Sequence, residues 1–181
     1  MKNPNAIISS DYGPIIINVN DSVIGKHIGK HGYWAIDDLN LIKQLVEMQL
    51  QKFGEVTFYD VGANIGTHAL AMAKTYAGKI KVRAFEAQRQ IYNMLCGTMA
   101  LNGIGHAFCH NNAVSAVNGE TLEIGLLDYH SANNFGALEL MAPQRSDQQA
   151  VVKTSTERVL TVSLDSFNER VDFIKIDIEG M

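Results

Sequence analysis

The sequence predicts an α/β protein built on a doubly wound parallel sheet. Short apolar runs alternate with amphipathic helical segments in the middle of the chain, and a glycine-rich turn joins the first of these runs to a helix. A length of 181 residues with 46% hydrophobic and 19% charged residues suits one globular domain. We therefore expect one folded domain over residues 34–181, preceded by an N-terminal extension or lid over residues 1–33.

The extension carries turn signals at residues 11–14 and residues 25–32, on either side of a β-rich run at residues 15–17. This pattern is typical of a hairpin or a lid. From Asp38 onward, apolar side chains recur at three- and four-residue steps. This periodicity predicts a helix that Asp37 or Asp38 caps and Gly54 ends.

The central part of the chain changes between strand and helix periods in a regular order. The predicted elements are a strand at 56–59, a helix at 68–76 closed by Gly78, a strand at 80–85, a helix ending at Asn102-Gly103 and a strand at 106–111. Strands separated by helices of this length pair in parallel, with right-handed crossovers.

Beyond the central part, Asn118-Gly119 lies between two short apolar runs, which predicts a two-residue hairpin. The polar residues 128–150 form a long connection, either a functional loop or partly disordered. Strand-like pieces follow at 151–156 and 159–162. Ser163 is positioned to cap a short helix, and residues 173–178 form a final apolar strand.

Composition also excludes several functional classes. The formal net charge is -4, and Lys and Arg are scattered, so nucleic acid is not an expected partner. We see no apolar stretch of signal-peptide or membrane-span length and expect a soluble, cytoplasmic protein. Cys96, Cys109 and the six histidines show no metal-ligand spacing, so we predict reduced core thiols and no metal.

The turn from Asp60 to Gly66 is the first candidate site. In an open parallel sheet, ligands bind beyond the carboxyl ends of the strands, where this turn is expected. Gly62 and Gly66 remove side chains where the backbone passes close to a ligand, and Asn64 tolerates the left-handed conformation. An ordinary structural turn is the alternative interpretation.

Two acidic residues narrow the ligand class. The turn follows the pattern D-x-G-x-N-x-G and lacks the second glycine of a dinucleotide loop, while the Asp60 carboxylate would repel phosphate and could hold an amine. Glu86 ends the next strand, where a carboxylate can accept both ribose hydroxyls. Asn112-Ala113 follows the third strand, where an adenine edge would lie; an Asn that forms a turn is the alternative interpretation. Together they indicate an adenosine ligand without phosphate.

With these residues in place, the sequence resembles the FkbM family of S-adenosylmethionine-dependent methyltransferases. The matching segments are residues 59–68, 84–87, 112–115, 162–165 and 172–180. The resemblance implies a Rossmann-like class I methyltransferase fold over roughly residues 30–181. It also implies transfer of a methyl group to a hydroxyl oxygen of a small molecule, sugar, glycolipid or polyketide-like acceptor.

The resemblance further implies a role for each matching residue. The turn from Asp60 to Gly66 would hold the methionine and ribose side of the cofactor, Glu86 the ribose hydroxyls and Asn112-Ala113 the adenine. Asp177 would face the transfer site as a base or an orienting group, and a carboxylate that caps a turn is an equally good interpretation. Glu179 and His130 are weaker candidates.

Acceptor recognition is expected in the N-terminal segment and the polar loop, where five residues offer aromatic and amide groups or ordinary solvated side chains. These are Tyr129, His130, Asn133, Asn134 and Phe135.

Members of the family continue past the Asp-x-Glu-Gly segment into further strands, so we expect a sheet that is incomplete at its C-terminal side. A fragment or a chain completed by a partner would explain this. The main alternative function is a truncated or non-catalytic S-adenosylmethionine-binding module. A nicotinamide-dependent oxidoreductase is a third hypothesis, which the loop spacing and Asp60 disfavour.

Overall fold

The computed structural model of the chain describes residues 3–138 and 151–179, with backbone alone at 151–154. The strands are β1 (Asn5–Ser10), β2 (Gly13–Asn18), β3 (Val56–Val61), β4 (Ile80–Phe85), β5 (Ala107–His110), β6 (Asn112–Val114), β7 (Thr121–Leu127), β8 (Val151–Val162) and β9 (Phe173–Ile176). The helices are α1 (Ile24–His31), α2 (Ile36–Phe53), α3 (Thr67–Thr75) and α4 (Arg89–Leu101). Two 3-10 turns lie at Phe135–Ala137 and Leu164–Phe167.

A four-stranded parallel sheet in the order β5-β4-β3-β9 forms the centre of the fold. Helices α3 and α4 connect β3 to β4 and β4 to β5, as the alternation predicts, and this confirms the α/β fold class. The chain moves outward from β3 to β5, whereas β9 joins the other side of β3. The order of the sheet therefore reverses beside β3, which is where open α/β sheets form a ligand crevice.

Helices α2, α3 and α4 bury their apolar stripes against this sheet around Val46, Phe58, Leu70 and Leu95. The prediction that Asp37 or Asp38 caps α2 is wrong, because Ala35 occupies the cap position and neither carboxylate bonds there. Both acids lie in the first turn instead, where a negative charge interacts favourably with the helix dipole.

Two of the three helix ends in the centre of the chain match the predictions, and that of α3 does not. Gly54 ends α2 in the left-handed conformation, as predicted. Helix α3 ends earlier than predicted, with Tyr76 at its cap, and Gly78 takes a positive φ of 80° in the following turn. The predicted β4 strand matches the observed bounds, and α4 ends before Asn102 as expected.

A second sheet contradicts the predicted hairpin around Asn118-Gly119. Its order is β6-β8-β7, so β6 and β7 do not pair with each other. Strand β8 inserts between them, parallel to β6 and antiparallel to β7. It is one continuous strand where the sequence suggested two pieces. A single residue, Asn111, separates β5 in the first sheet from β6 in the second.

The N-terminal segment forms the β1–β2 hairpin and then α1, so the turn predicted at residues 25–32 is a helix. Its apolar side chains, including Ile15 and Ile28, pack into a core shared with α4 and the second sheet. Thr98 on α4 accepts a hydrogen bond from the backbone N–H of Ile16 at 3.2 Å. The domain boundary at residue 33 stays a prediction.

The face of the parallel sheet that is turned away from helices α2, α3 and α4 carries a polar network centred on Glu169. Its carboxylate accepts hydrogen bonds from Arg83 Nε at 2.5 Å, from Lys81 and from the Tyr59 hydroxyl at 2.7 Å. These donors, with Arg83 first, lower the pKa of Glu169 to about 2. Arg83 is also in contact with the ring of Phe167, so the network joins the 3-10 turn at Leu164–Phe167 to the sheet.

Both cysteines are free thiols, and each is partly buried, less so than the predicted core position. No helix within residues 3–138 and 151–179 is long and apolar enough to cross a membrane.

Candidate functional site

A cavity opens at the carboxyl ends of β3 and β4, where the two sheets meet. The space between its walls is about 650 Å³, part of it open solvent. The structure brings six of the eight predicted site residues to its walls: Gly62, Asn64, Glu86, Asn112, Ala113 and Asp177. Asp60 and Gly66 lie outside the lining.

The turn after β3 adopts three left-handed backbone conformations. Gly62 has φ 73°, Asn64 φ 50° and Gly66 φ 92°, so Asn64 takes the conformation predicted for it. A Cβ on Gly62 would lie 2.0 Å from the carbonyl oxygen of Asp177, and a Cβ on Gly66 would lie 2.6 Å from Leu95 Cδ1. Close packing against the segment after β9 therefore requires Gly62, and close packing against helix α4 requires Gly66, whether or not a ligand is bound.

Glu86 is the most strongly oriented carboxylate of the cavity. It is 6% exposed. Its Oε2 accepts the backbone N–H of Asn64 and its Oε1 that of Gln88, each at 2.9 Å. Burial raises the pKa of Glu86 to about 7, although these amide donors act in the opposite direction. The carboxylate thus ionises near neutral pH in a fixed orientation.

The charged side chains that line the cavity are all acidic. Among the residues that the structure describes, Glu86, Asp177 and Glu179 line it, and no Lys or Arg does. Carboxylates in a partly enclosed site attract a cation and repel phosphate. The electrostatics therefore suit a cationic ligand.

Asp60 lies beneath the turn, and its carboxylate is fully buried. The nearest cation is Lys175 on β9, whose Nζ is 3.1 Å from Asp60 Oδ1. Within the described residues, Asp60 forms an ion pair with Lys175, and neither of its carboxylate oxygens has a hydrogen-bond partner. The prediction that Asp60 holds a ligand amine stays a prediction. Burial alone would lower the pKa of Lys175, and the carboxylates of Asp60 and Asp177 outweigh this and raise it.

His68 lies on α3 close to Asp60. It is 5% exposed, and its Nε2 has no hydrogen-bond partner among the described residues. Burial lowers the pKa of His68, with partial compensation from Asp60. Sequence analysis singled out neither His68 nor Lys175, since each is a single polar residue inside an apolar pattern.

Asn112 and Ala113 lie on β6, and both line the cavity. Ala113 is buried, while the Asn112 amide nitrogen donates to the Leu160 carbonyl oxygen at 3.0 Å. The amide of Asn111 donates to the carbonyl oxygens of Glu86 and Ala87. This bond fixes the start of β6 relative to the end of β4.

Asp177 follows β9 at the mouth of the cavity, with 71% of its side chain exposed. Its backbone N–H donates to the Val61 carbonyl oxygen at 3.0 Å, and its Oδ2 is 3.5 Å from Lys175 Nζ. Glu179 also lines the cavity and is exposed. His130 is exposed and does not line it.

Residues of the polar loop were expected either to contact an acceptor or to be solvated, and part of them are instead packed inside the protein. Phe135 is fully buried, Asn133 is 3% exposed, and the half-buried ring of Tyr129 packs on Phe135. Gln88, which sequence analysis did not identify, lines the cavity and donates from its amide to the Phe135 carbonyl oxygen at 2.8 Å. Residues 139–150 of the predicted loop lie outside the described residues.

Comparisons with known proteins add a family match. The family model described as "Methyltransferase FkbM domain" matches residues 60–181. No curated protein matches the chain.

Two solved structures align with part of the chain. A SAM-dependent methyltransferase from Agrobacterium tumefaciens aligns at 9% identity and TM-score 0.43, over 62% of this chain and 34% of that one. A transferase from Pyrococcus horikoshii aligns at 13% identity and TM-score 0.41, over 67% of this chain and 52% of that one. The chain thus spans between a third and about half of these structures.

Proposed function

The chain belongs to the FkbM methyltransferase family, whose cofactor is S-adenosylmethionine, and we propose that it transfers a methyl group to a hydroxyl oxygen of a small molecule, sugar or polyketide-like acceptor. The observation that carries the proposal is the all-acidic cavity with the oriented carboxylate of Glu86 at its wall. The acceptor hydroxyl rests on the family resemblance and on the position of Asp177.

The residues present fit the cofactor. Each oxygen of Glu86 already accepts one backbone N–H, and a carboxylate oxygen has a second acceptor site. Two vicinal hydroxyls can therefore donate to one carboxylate without displacing either amide. Asn112 and Ala113 on β6 also line the cavity, and the family resemblance assigns them to the adenine.

The negative charge of the cavity fits the methionine end of S-adenosylmethionine. S-adenosylmethionine carries a sulfonium and an ammonium group and no phosphate. Asp177 and Glu179 provide negative charge at the mouth of the cavity, on the side of β9. A nicotinamide dinucleotide would bring a pyrophosphate to the turn, where no described lining residue carries a positive charge.

The chain's own residues have a limited set of tasks in the reaction. Bound S-adenosylmethionine supplies an electrophilic methyl group, so the protein needs chiefly to hold an acceptor oxygen in line and exclude water. Asp177 is positioned to accept the proton of the acceptor hydroxyl or to orient that hydroxyl. Asp177 carries its negative charge in solvent contact, which suits an acceptor that enters from the open side.

A cofactor-binding module without methyl transfer is the second candidate. The observation that favours it is the exposure of Asp177 and Glu179, because the described residues do not enclose the oxygen that would react.

Isothermal titration with S-adenosylhomocysteine, S-adenosylmethionine and NAD tests the cofactor assignment. We expect both sulfur ligands to bind and NAD to fail. Glu86→Gln should weaken binding about tenfold to a hundredfold, the effect of losing a hydrogen bond to a charged group. Glu123→Gln, an exposed acid on β7, is the matched control and should bind normally.

Transfer of a radiolabelled methyl group to a panel of sugars, phenols and polyketide alcohols separates the two candidates. Methylation that falls at least tenfold in Asp177→Asn, with unchanged S-adenosylhomocysteine affinity, supports the enzyme. Cofactor binding without transfer to any acceptor supports the module. Failure of both sulfur ligands to bind contradicts both.

A further inference from the structure

Lys175 occupies an unusual position for a lysine. It lies directly opposite Asp60 in the parallel pairing of β9 with β3, two residues after the Phe58–Phe173 pair that packs in the core. Its side chain is 14% exposed. Burial of an ammonium group is costly unless its donors are satisfied and its charge is paired.

Three acceptors surround the ammonium group. Lys175 Nζ lies 3.1 Å from Asp60 Oδ1, 3.1 Å from the Gly62 carbonyl oxygen and 3.5 Å from Asp177 Oδ2. The contact with the Gly62 carbonyl oxygen is a hydrogen bond, and the contacts with Asp60 and Asp177 are ion pairs. One side chain on β9 thus connects the end of β3, the turn that lines the cavity and the acid at its mouth.

We propose that Lys175 is a positioning residue that fixes the turn at Gly62–Gly66 in its ligand-binding conformation and holds Asp177 at the cavity mouth. The proposal deepens the proposed function and rests on it for the identity of the ligand. Its physical content is the bond to the Gly62 carbonyl oxygen, which sets the orientation of the peptide that leads into the turn.

The alternative is that Lys175 only neutralises the buried charge of Asp60. The two roles differ in what happens when that charge is removed. If neutralisation is the whole role, Lys175 becomes dispensable once residue 60 is uncharged. If Lys175 positions the turn, its loss matters even then, because the Gly62 carbonyl oxygen still loses its donor.

The test compares Asp60→Asn with Asp60→Asn/Lys175→Met. The double variant leaves no unpaired buried charge, so it should fold even if Lys175→Met alone does not. We expect it to bind S-adenosylhomocysteine roughly tenfold or more weakly than Asp60→Asn, as expected for the loss of a hydrogen bond from a charged donor. Lys79→Met, at the opposite end of the sheet before β4, is the control and should bind as the unmodified chain does.

Hydrogen exchange of the ligand-free protein provides a readout that does not depend on the ligand. The amides of Gly62 and Ala63 both donate to the Phe85 carbonyl oxygen, and the amide of Asn64 donates to Glu86. We expect these amides to exchange at least several-fold faster in the double variant than in Asp60→Asn, with α4 unchanged.

The outcomes separate the two claims. Equal S-adenosylhomocysteine affinity and equal exchange in the double variant and Asp60→Asn overturn the positioning role. Faster exchange confined to the turn of the double variant supports the positioning role. If the unmodified chain also fails to bind S-adenosylhomocysteine, the positioning role stands and the proposed function is contradicted. Faster exchange throughout the molecule would show a general structural role and also overturn the proposal.

Discussion

Glu86 should make the folded protein less stable as the pH rises. Its pKa is raised from 4.5 to about 7 in the folded chain, so between these values the folded state holds a proton that the unfolded chain has released. The stabilising contribution of Glu86 is therefore fully present below about pH 4.5 and is lost as the pH rises to about 7. At about 1.4 kcal/mol per pKa unit, the loss is about 3 kcal/mol.

The perturbation is Glu86→Gln, which keeps the shape of the side chain and cannot ionise. The variant loses an acceptor for one of the two backbone amides, which lowers its free energy of unfolding by a similar amount at every pH. The stability of the unmodified chain relative to the variant should therefore fall by about 3 kcal/mol from pH 4.5 to pH 8. Urea denaturation followed by circular dichroism at five pH values measures this difference.

Glu123→Gln provides the control, because Glu123 lies on the surface of β7 in an exposed ion pair. Its stability should run parallel to that of the unmodified chain. The stabilities of Glu86→Gln and the unmodified chain could also run parallel with pH within about 0.5 kcal/mol, the size of an ordinary surface effect. In that case burial does not raise the pKa of Glu86. The reasoning about an oriented, partly protonated carboxylate would then be wrong.

Three further predictions follow from other parts of the fold. Gly62→Ala should destabilise the protein by several kcal/mol in thermal unfolding, because its Cβ would overlap the Asp177 carbonyl oxygen. Gly54→Ala is the control, also at positive φ but with open space around it, and should cost only about 1–2 kcal/mol. Equal losses in the two variants would contradict the close contact at Gly62. Phe135→Ala should lower the free energy of unfolding by about 3–5 kcal/mol because the ring is fully buried, whereas Phe108→Ala, at a side chain 47% exposed, should cost clearly less in the same urea titration. Burial lowers the pKa of His68, so the unfolded chain binds its proton first and this residue costs stability as the pH falls below 6.5. The melting temperature of His68→Gln should therefore gain on that of the unmodified chain when the pH is lowered from 7 to 5. An equal pH dependence of the two melting temperatures would show that folding does not lower the pKa of His68.

The parallel sheet could be predicted from sequence because its signals are local. The residues of β4 and α4 themselves mark where each element begins and ends. The alternation of strands and helices is then sufficient to infer parallel pairing. The second sheet could not be predicted in this way. Asn118-Gly119 does mark a turn, with Gly119 at φ 76°, but the partner of both flanking strands is β8, about forty residues further along the chain.

The residues of the cavity likewise differ in how far the sequence alone could identify them. Glu86 and the turn at Asp60 are identified by their positions at strand ends, which follow from the strand pattern alone. The pairing of Asp60 with Lys175 depends on β9 lying beside β3 in a particular register. The burial of Phe135 depends on contacts with Tyr129 and the N-terminal core. Tertiary contacts of this kind leave no periodicity in the sequence.

The single-residue passage at Asn111 has a consequence for how this cavity could be altered. The wall at Asn112 and Ala113 hydrogen-bonds to β8, while the opposite wall belongs to the parallel sheet. Substitutions in β7 or β8 can thus shift one wall while the other keeps its strand pairing. Directed evolution of ligand selectivity would do best to begin in the second sheet, where a change in fit does not require a change in the central fold.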